Sequence, residues 1–230
     1  MKSEFVHDRV RLDRKTRNIK IHDMDMIVYE SIDCISDHIV DTNTFWEEEL
    51  FERWKQYIPS EGLTFDIGGN IGNHCLMFKR EFPDMEIYTF EIHPQHYNLL
   101  VENTKRYLDI NTFNIGVSDC IDIVKFNDGG NDNTGATHIQ HIGGNNRNIT
   151  LPLDMFIFKR KIDFIKIDIE GHELYALKGM KKNIERDKPL IWIEDMSEES
   201  VAVNFLKEMG YNLIDYNQKT WDYLLKYEKL

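Results

Sequence analysis

The sequence predicts an α/β fold built on a mostly parallel seven-stranded sheet that ends in a C-terminal antiparallel hairpin. Three observations predict it. Thr64-Phe65-Asp66-Ile67-Gly68-Gly69-Asn70-Ile71-Gly72-Asn73-His74 runs from apolar and β-branched residues through an acid into a glycine-rich turn, and Cys75 to Lys79 continues as helix. From there to Gly210, short apolar runs alternate with stretches of helical spacing, the pattern of parallel strands joined by crossover helices. Last, residues 211–216 and 220–225 flank only Asn217-Gln218-Lys219, a turn too short for anything but an antiparallel pair.

Residues 1–42 read as an N-terminal extension with candidate short strands at 18–22 and 26–29, and residues 43–230 as the main domain. Thr44 is placed to cap a helix over 45–58, in which Phe45, Leu50, Phe51, Trp54 and Ile58 recur at helical spacing before Pro59 stops it. The sheet then begins with a strand at 63–67 and a helix to residue 82. A second strand at 86–90 leads to a helix over 94–108, and a third strand spans 112–117. Residues 127–148 are polar and glycine-rich with no periodicity, flanked by short candidate strands. A fourth strand at 164–169 precedes a helix over 173–185. A fifth at 190–194 precedes a helix over 198–209, ended by Gly210.

A chain of 230 residues, 41% hydrophobic and 30% charged, supports one sizeable core and a soluble globular protein. A net charge of −12 excludes broad nucleic-acid binding, which needs a basic face. The short basic stretch from Arg9 to Lys20 reads as a solvated arm. No apolar run is long enough to span a membrane, and Met1 to Phe5 lacks the apolar core of a signal peptide, so a cytoplasmic location is expected. Cys34, Cys75 and Cys120 are odd in number and widely spaced, which suits reduced thiols rather than a disulfide framework.

The order of residues in the glycine turn indicates its ligand. A dinucleotide fold uses glycines to bring a pyrophosphate onto a helix N-terminus. Here Asp66 comes first, and an anion beside a phosphate repels it. The turn Asp66, Gly68, Gly69, Asn70, Gly72, Asn73 suits a ligand with cationic and hydroxyl groups, such as the amino acid and sulfonium of S-adenosylmethionine. One βα unit later, Glu91 ends a strand in Phe90-Glu91-Ile92-His93-Pro94, where an acid accepts hydrogen bonds from both ribose hydroxyls and Ile92 and His93 complete the binding edge. Ser118 and Asp119 follow the third strand, placed either to meet an adenine edge or to form a plain turn.

The densest set of ionisable groups is Lys166-Ile167-Asp168-Ile169-Glu170-Gly171-His172-Glu173. In an extended strand Lys166, Asp168 and Glu170 share one side and Ile165, Ile167 and Ile169 the other. Charges at the carboxyl end of a buried strand point to the crevice where ligands bind. Asp168, Glu170 and His172 are therefore the candidate catalytic residues, with Asp168 or His172 as general base and Asp168 also beside the cofactor; Glu170 or Glu173 serve equally well as helix caps. Glu194-Asp195 ends the next strand, and carboxylates at the ends of these two neighbouring strands either form a solvated acidic rim or jointly hold a divalent cation, so a metal is possible and its ligands unknown. His138, His141 and Arg147 in the glycine-rich stretch either cover the acceptor or face solvent.

Taken together, Phe65-Asp66-Ile67-Gly68-Gly69-Asn70-Ile71-Gly72, Phe90-Glu91-Ile92-His93-Pro94, Leu151-Pro152-Leu153-Asp154 and Ile165-Lys166-Ile167-Asp168-Ile169-Glu170-Gly171-His172-Glu173 resemble the FkbM family of S-adenosylmethionine-dependent methyltransferases. Leu177-Lys178-Gly179-Met180 and Lys188-Pro189-Leu190-Ile191 extend the resemblance, which covers roughly residues 40 to 215. Ile92 stands where a proline is usual and Gly69 where an alanine is common. The resemblance implies a Rossmann-like class I methyltransferase fold, S-adenosylmethionine as cofactor, and O-methylation of a hydroxyl on a sugar, glycan or other small molecule. Another small-molecule or a protein acceptor, an NAD-dependent oxidoreductase and a non-catalytic binding scaffold are the alternatives.

Overall fold

A computed structural model describes residues 15–30, 33–127, 138–140 and 146–228. Strands β1 (Thr16–Ile21) and β2 (Met24–Tyr29) form a separate antiparallel hairpin. Helices α1 (Cys34–Thr42) and α2 (Glu48–Trp54) lead into β3 (Gly62–Ile67), α3 (Asn73–Glu81), β4 (Met85–Phe90), α4 (Pro94–Thr104) and β5 (Ile110–Phe113). Four short strands follow, β6 (Gly116–Val117), β7 (Asp122–Asn127), β8 (His138–Gln140) and β9 (Asn146–Leu151). The chain then runs β10 (Ile162–Ile167), α5 (Glu173–Gly179), α6 (Lys181–Asp187), β11 (Leu190–Glu194), α7 (Val201–Glu208), β12 (Tyr211–Asn217) and β13 (Asp222–Tyr227).

The main sheet has seven strands in the order β12-β13-β11-β10-β3-β4-β5. The pairs among β11, β10, β3, β4 and β5 are parallel, whereas β13 runs antiparallel to both β11 and β12. The predicted fold class holds, and β13 is the reversed strand of the predicted hairpin. The central strands are apolar because helices cover both faces. On one face Phe164, Trp192, Ile87 and Leu224 join Trp54, Phe51, Phe78 and Leu100 of the α2, α3 and α4 layer. On the other, Phe65, Ile165, Ile167 and Ile193 meet Leu177, Ile184 and Leu206 of the α5, α6 and α7 layer.

Several elements differ from the sequence expectation, each for a local reason. The helix expected over 45–58 is confined to Glu48–Trp54, and Thr44 does not cap it; Glu47 precedes it in a left-handed conformation, φ 63°. Helix α1 has no strong periodic signal, yet Asp33 caps it by accepting from the Ser36 N–H at 2.9 Å and Asn43 closes it in the left-handed region. The expected third strand is divided: β5 stays in the main sheet, while β6 pairs with β9 in a four-stranded sheet of order β6-β9-β7-β8. The glycine-rich stretch is thus partly strand, with β8 and the start of β9 inside it, and residues 128–137 and 141–145 outside the described residues. The helix expected over 173–185 breaks between α5 and α6 where Gly179 passes the Ser118 carbonyl, so close that a Cβ would lie 1.9 Å from its oxygen.

The described part of the N-terminal extension packs into the same core as the sheet: Ile21, Met26, Val28 and Ile39 are buried in the α2, α3 and α4 layer. Asn103 on α4 makes this attachment specific. Its Oδ1 accepts from the Ile27 N–H at 2.7 Å, and its Nδ2 donates to the carbonyls of Ile27 (2.9 Å) and Ile71 (2.7 Å). One buried amide therefore ties the β2 edge to the glycine turn. Asn103→Ala leaves these buried groups unpaired, and we expect a loss of about 2–4 kcal/mol in denaturant unfolding; an unchanged midpoint would refute the tie.

Candidate active site

A cavity of about 580 Å³ opens at the carboxyl ends of β3, β4, β10 and β11. From β3 the chain proceeds outward through β4 and β5, while β10 and β11 extend the sheet the other way. That divergence is a topological switch point, where open α/β sheets bind ligands.

Gly68, Asn70 and Asn73 of the glycine turn line this cavity. Gly68 has φ 94° and approaches the Asp168 carbonyl so closely that a Cβ would lie 1.9 Å from the oxygen; only glycine fits. Gly69 lies against Thr89 and Gly72 opens α3, both behind the lining. Asp66 is fully buried beneath the turn. Its Oδ2 accepts from Cys75 Sγ and Thr89 Oγ1, both at 3.2 Å, and its Oδ1 has no hydrogen-bond partner among the described residues. Asp66 thus shapes the turn from below. Asn73 grips the backbone of Trp46 on both sides, accepting from its N–H at 2.9 Å and donating to its carbonyl at 3.1 Å.

Glu91 and Ile92 line the wall next to the turn. The Glu91 carboxylate accepts from the Asn70 N–H at 2.8 Å and the His93 N–H at 2.7 Å. Burial drives its pKa up to about 7, against the lowering effect of those two N–H groups. His93 does not reach the cavity; its ring caps α4 by accepting from the Gln95 N–H at 3.2 Å and stacks on His96, which does line it. Of the expected adenine contacts, Asp119 is exposed, and Ser118 is buried against His172 with its Oγ 2.9 Å from Nε2. Gly116 and Val117, just before them, line the cavity instead.

Asp168, Glu170 and His172 all line the cavity, as does Glu194. Their neighbour Lys166 is fully buried, its Nζ 2.8 Å from Asp168 Oδ2 and 5.8 Å from the Trp192 ring centroid. Burial opposes the ammonium, but Asp168, Glu47, Asp66 and Asp222 around it raise its pKa above the ordinary lysine value. Asp168 keeps 26% of its side chain open. Burial penalises its charge, yet Lys166 and a hydrogen bond from Glu194 hold it well below the usual carboxylate range. Glu194 carries the shared proton, pushed up to about 11 by burial and by Asp168. Glu170 adopts φ 55° and is raised to about 7 by burial and Asp168. Glu173 does not cap α5, which has no side-chain cap; it braces the preceding loop, accepting from the N–H groups of Ile169 (3.2 Å) and Gly171 (3.0 Å).

The structure also brings in groups that strand-end patterning does not reveal. Trp46 and Glu47, from the edge of α2, and His74, from the first turn of α3, close one side of the cavity; Lys219, Thr220 and Trp221 of the β12–β13 turn close another. Glu47 Oε2 lies 3.0 Å from His74 Nε2. Burial and Lys166 lower the His74 pKa to about 3, so the ring is neutral. The one sequence signal for these residues was the position of His74 inside the glycine-turn run. Asp195 is used otherwise: its Oδ2 caps α7 through the N–H groups of Ala202 (2.9 Å) and Val203 (3.1 Å). Among the described residues no group of three or more His, Cys, Asp or Glu could hold a metal ion. His138 lies on β8, His141 is outside the described residues, and Arg147 is exposed on β9. No helix among the described residues is long and apolar enough to cross a membrane.

The raised carboxyls make stability depend on pH. Glu91, Glu170 and Glu173 at about 7, and Asp222 at about 8, hold protons in the folded state that the unfolded chain has already lost. Stability therefore falls as pH rises through these values. His74 acts in the opposite sense, but only below its unfolded value of 6.5. The ligand-free protein should melt at a lower temperature at about pH 8.5 than at about pH 6.5, and Glu91→Gln should flatten that slope. A melting temperature that rises across this window would contradict the assignment.

The family model described as the methyltransferase FkbM domain matches residues 66–213. Among solved structures, the chain is similar to the methyltransferase FkbM from Methylobacillus flagellatus KT, with a TM-score of 0.56 and 20% identity over 74% of this chain and 44% of that one. It is also similar to precorrin-6y C5,15-methyltransferase from Geobacter metallireducens GS-15, with a TM-score of 0.47 and 15% identity over 79% of this chain and 87% of that one. The chain spans less than half the length of the Methylobacillus protein. None of the curated proteins compared with it matches. From the buried acid that opens the glycine turn to the middle of β12, the matched span contains most of the main sheet and the carboxylate cluster, and the chain belongs to the FkbM methyltransferase family.

Proposed function

We propose that this protein is an S-adenosylmethionine-dependent O-methyltransferase acting on a hydroxyl of a sugar or glycan. The observation that carries the proposal is the meeting, in one cavity, of the glycine turn, Glu91 and the carboxylates at the end of β10. Glu47, Glu91, Asp168, Glu170 and Glu194 line the space, and Lys166, the buried cation beside Asp168 among the described residues, already faces four carboxylates. Such a field favours a ligand with sulfonium and ammonium charges and opposes a pyrophosphate, which argues against NAD.

The residues present fit the cofactor. The turn of Gly68, Gly69, Asn70, Gly72 and Asn73 would hold its amino acid end, with Asp66 fixing the turn from beneath. Glu91, with lone pairs left on both oxygens, would take the ribose hydroxyls beside Ile92, and His93 would keep that edge in place as the cap of α4. Val117 and Gly116 would flank the base, with Ser118 and Asp119 behind. When bound, the group supplies an activated methyl on a sulfonium. Asp168 and His172 would orient the acceptor hydroxyl, His172 being steadied by Ser118 and by stacking on Tyr175 at 4.8 Å. Positioning of this kind accounts for much of the rate in such transfers. Trp46 and Trp221 line the cavity together with hydroxyl-accepting carboxylates, a combination that favours a sugar acceptor.

Calorimetry with S-adenosylhomocysteine should show saturable binding, and no binding at about millimolar concentration would exclude the cofactor. Screening free and nucleotide-activated monosaccharides with labelled donor should find an acceptor. With that acceptor, Asp168→Asn should retain S-adenosylhomocysteine affinity within a few-fold while turnover falls about 100-fold or more. Full turnover in Asp168→Asn would remove Asp168 from the reaction.

A further inference from the structure

We propose that Glu47 is a further catalytic residue, the group that takes the proton from the acceptor hydroxyl, with Asp222 behind it as a positioning residue. The inference rests on the methyl-transfer reading above. Four features of the geometry point to Glu47. It lines the same cavity as Asp168 and Glu194 although it belongs to the α2 edge rather than to a strand end. Its backbone sits at φ 63° and ψ 18°, a conformation a non-glycine residue adopts at a cost, and its side chain is only 8% exposed. The turn is held in place by Asn73, whose amide clamps the adjoining Trp46 backbone at 2.9 and 3.1 Å. Asp222 completes the arrangement: Trp192 Nε1 donates to its Oδ1 at 2.6 Å, and its Oδ2 is buried with no donor of its own, facing the Glu47 carboxyl.

The groups facing Glu47 are His74 from α3, Lys166 and Asp168 from β10, and Asp222 from β13. Two carboxyl pairs therefore line the site, and they differ in what they can do. In the Asp168 and Glu194 pair the two groups are driven far apart, one well below the carboxylate range and the other up to about 11. The coupling favours one proton held on Glu194, with Asp168 kept ionised beside Lys166. In the other pair, burial raises Glu47 while Lys166 and Asp222 hold it down, and burial with Glu47 raises Asp222 to about 8. Glu47 is thereby raised above the ordinary carboxylate value, the direction that makes a carboxylate a stronger base, while its side chain stays on the cavity wall. Asp168 then orients and Glu47 accepts. In the balanced step the hydroxyl oxygen forms its bond to the methyl carbon as the carbon–sulfur bond breaks, with the electron pair of that bond remaining on sulfur. The hydroxyl proton passes to the Glu47 carboxylate.

Three readouts test this. With the best saccharide from the screen, Glu47→Gln should lower kcat about 100-fold or more while S-adenosylhomocysteine affinity stays within a few-fold. Asp222→Ala, which removes the group that holds Glu47 down, should move the acidic limb of the pH–rate profile to higher pH; a merely structural role would lower the rate at every pH and leave the limb in place. Independently of turnover, S-adenosylmethionine can be titrated calorimetrically near pH 7 in buffers of different ionisation enthalpy. The wild-type protein should release protons as the cation enters, and Glu47→Gln should lose part of that release. Wild-type kcat in Glu47→Gln, or equal proton release where no saccharide turns over, would overturn the assignment and leave the methyltransferase reading intact. Failure of the wild-type protein to bind S-adenosylhomocysteine would overturn both.

Discussion

The structure depends on one buried cation. Lys166 lies inside a strand that helices cover on both faces, a place where an unpaired ammonium would cost several kcal/mol. It is retained because carboxylates from separate parts of the chain converge on it: Asp168 on its own strand, Glu47 before α2, Asp66 on β3 and Asp222 on β13. The Trp192 ring offers its face from β11. Each of these segments is held at the cavity by an attraction to the same charge. Taking Lys166 away would leave the carboxylates facing one another in a low dielectric, with protonation or rearrangement as the ways out.

That crowding explains the character of the cavity. There are more carboxyls than cations to balance them, so several hold protons that free side chains would have shed. The raised carboxyls of Glu91, Glu170, Glu194 and Asp222 are the form this takes. A ligand bearing positive charge relieves the site and a phosphate burdens it. The proposed preference for a cationic nucleoside over a dinucleotide thus rests on the charge balance of the walls as much as on the shape of the glycine turn. The turn contributes geometry, through the positive φ of Gly68 and its contact with the Asp168 backbone.

Much of this was legible in the sequence because parallel sheets place ligand groups at strand ends, and strand ends can be read from alternation. Glu91, Asp168, Glu170 and His172 were expected that way and line the cavity, whereas Asp66 lies beneath the turn; the reversed final strand was read from the short turn before it. Residues brought in from elsewhere were not. Glu47 precedes a helix whose start was misread, because the residue that opens it does so through a left-handed backbone and no side-chain cap. Trp46 and Trp221 look like ordinary surface or core aromatics until the fold brings both to the lining of one cavity. Lys166 was recognised as ligand-side, but its complete burial depends on partners that lie far away in sequence. Gly179 shows the reverse case: a motif glycine whose reason is a backbone contact with Ser118, visible only in three dimensions.

The central claim is that this anionic, glycine-floored cavity receives a cationic nucleoside. Thermal melting with S-adenosylmethionine and with NAD, each at saturating concentration, tests it most directly. The account predicts that S-adenosylmethionine raises the melting temperature and NAD leaves it where it is. Stabilisation by NAD with none from S-adenosylmethionine would contradict it.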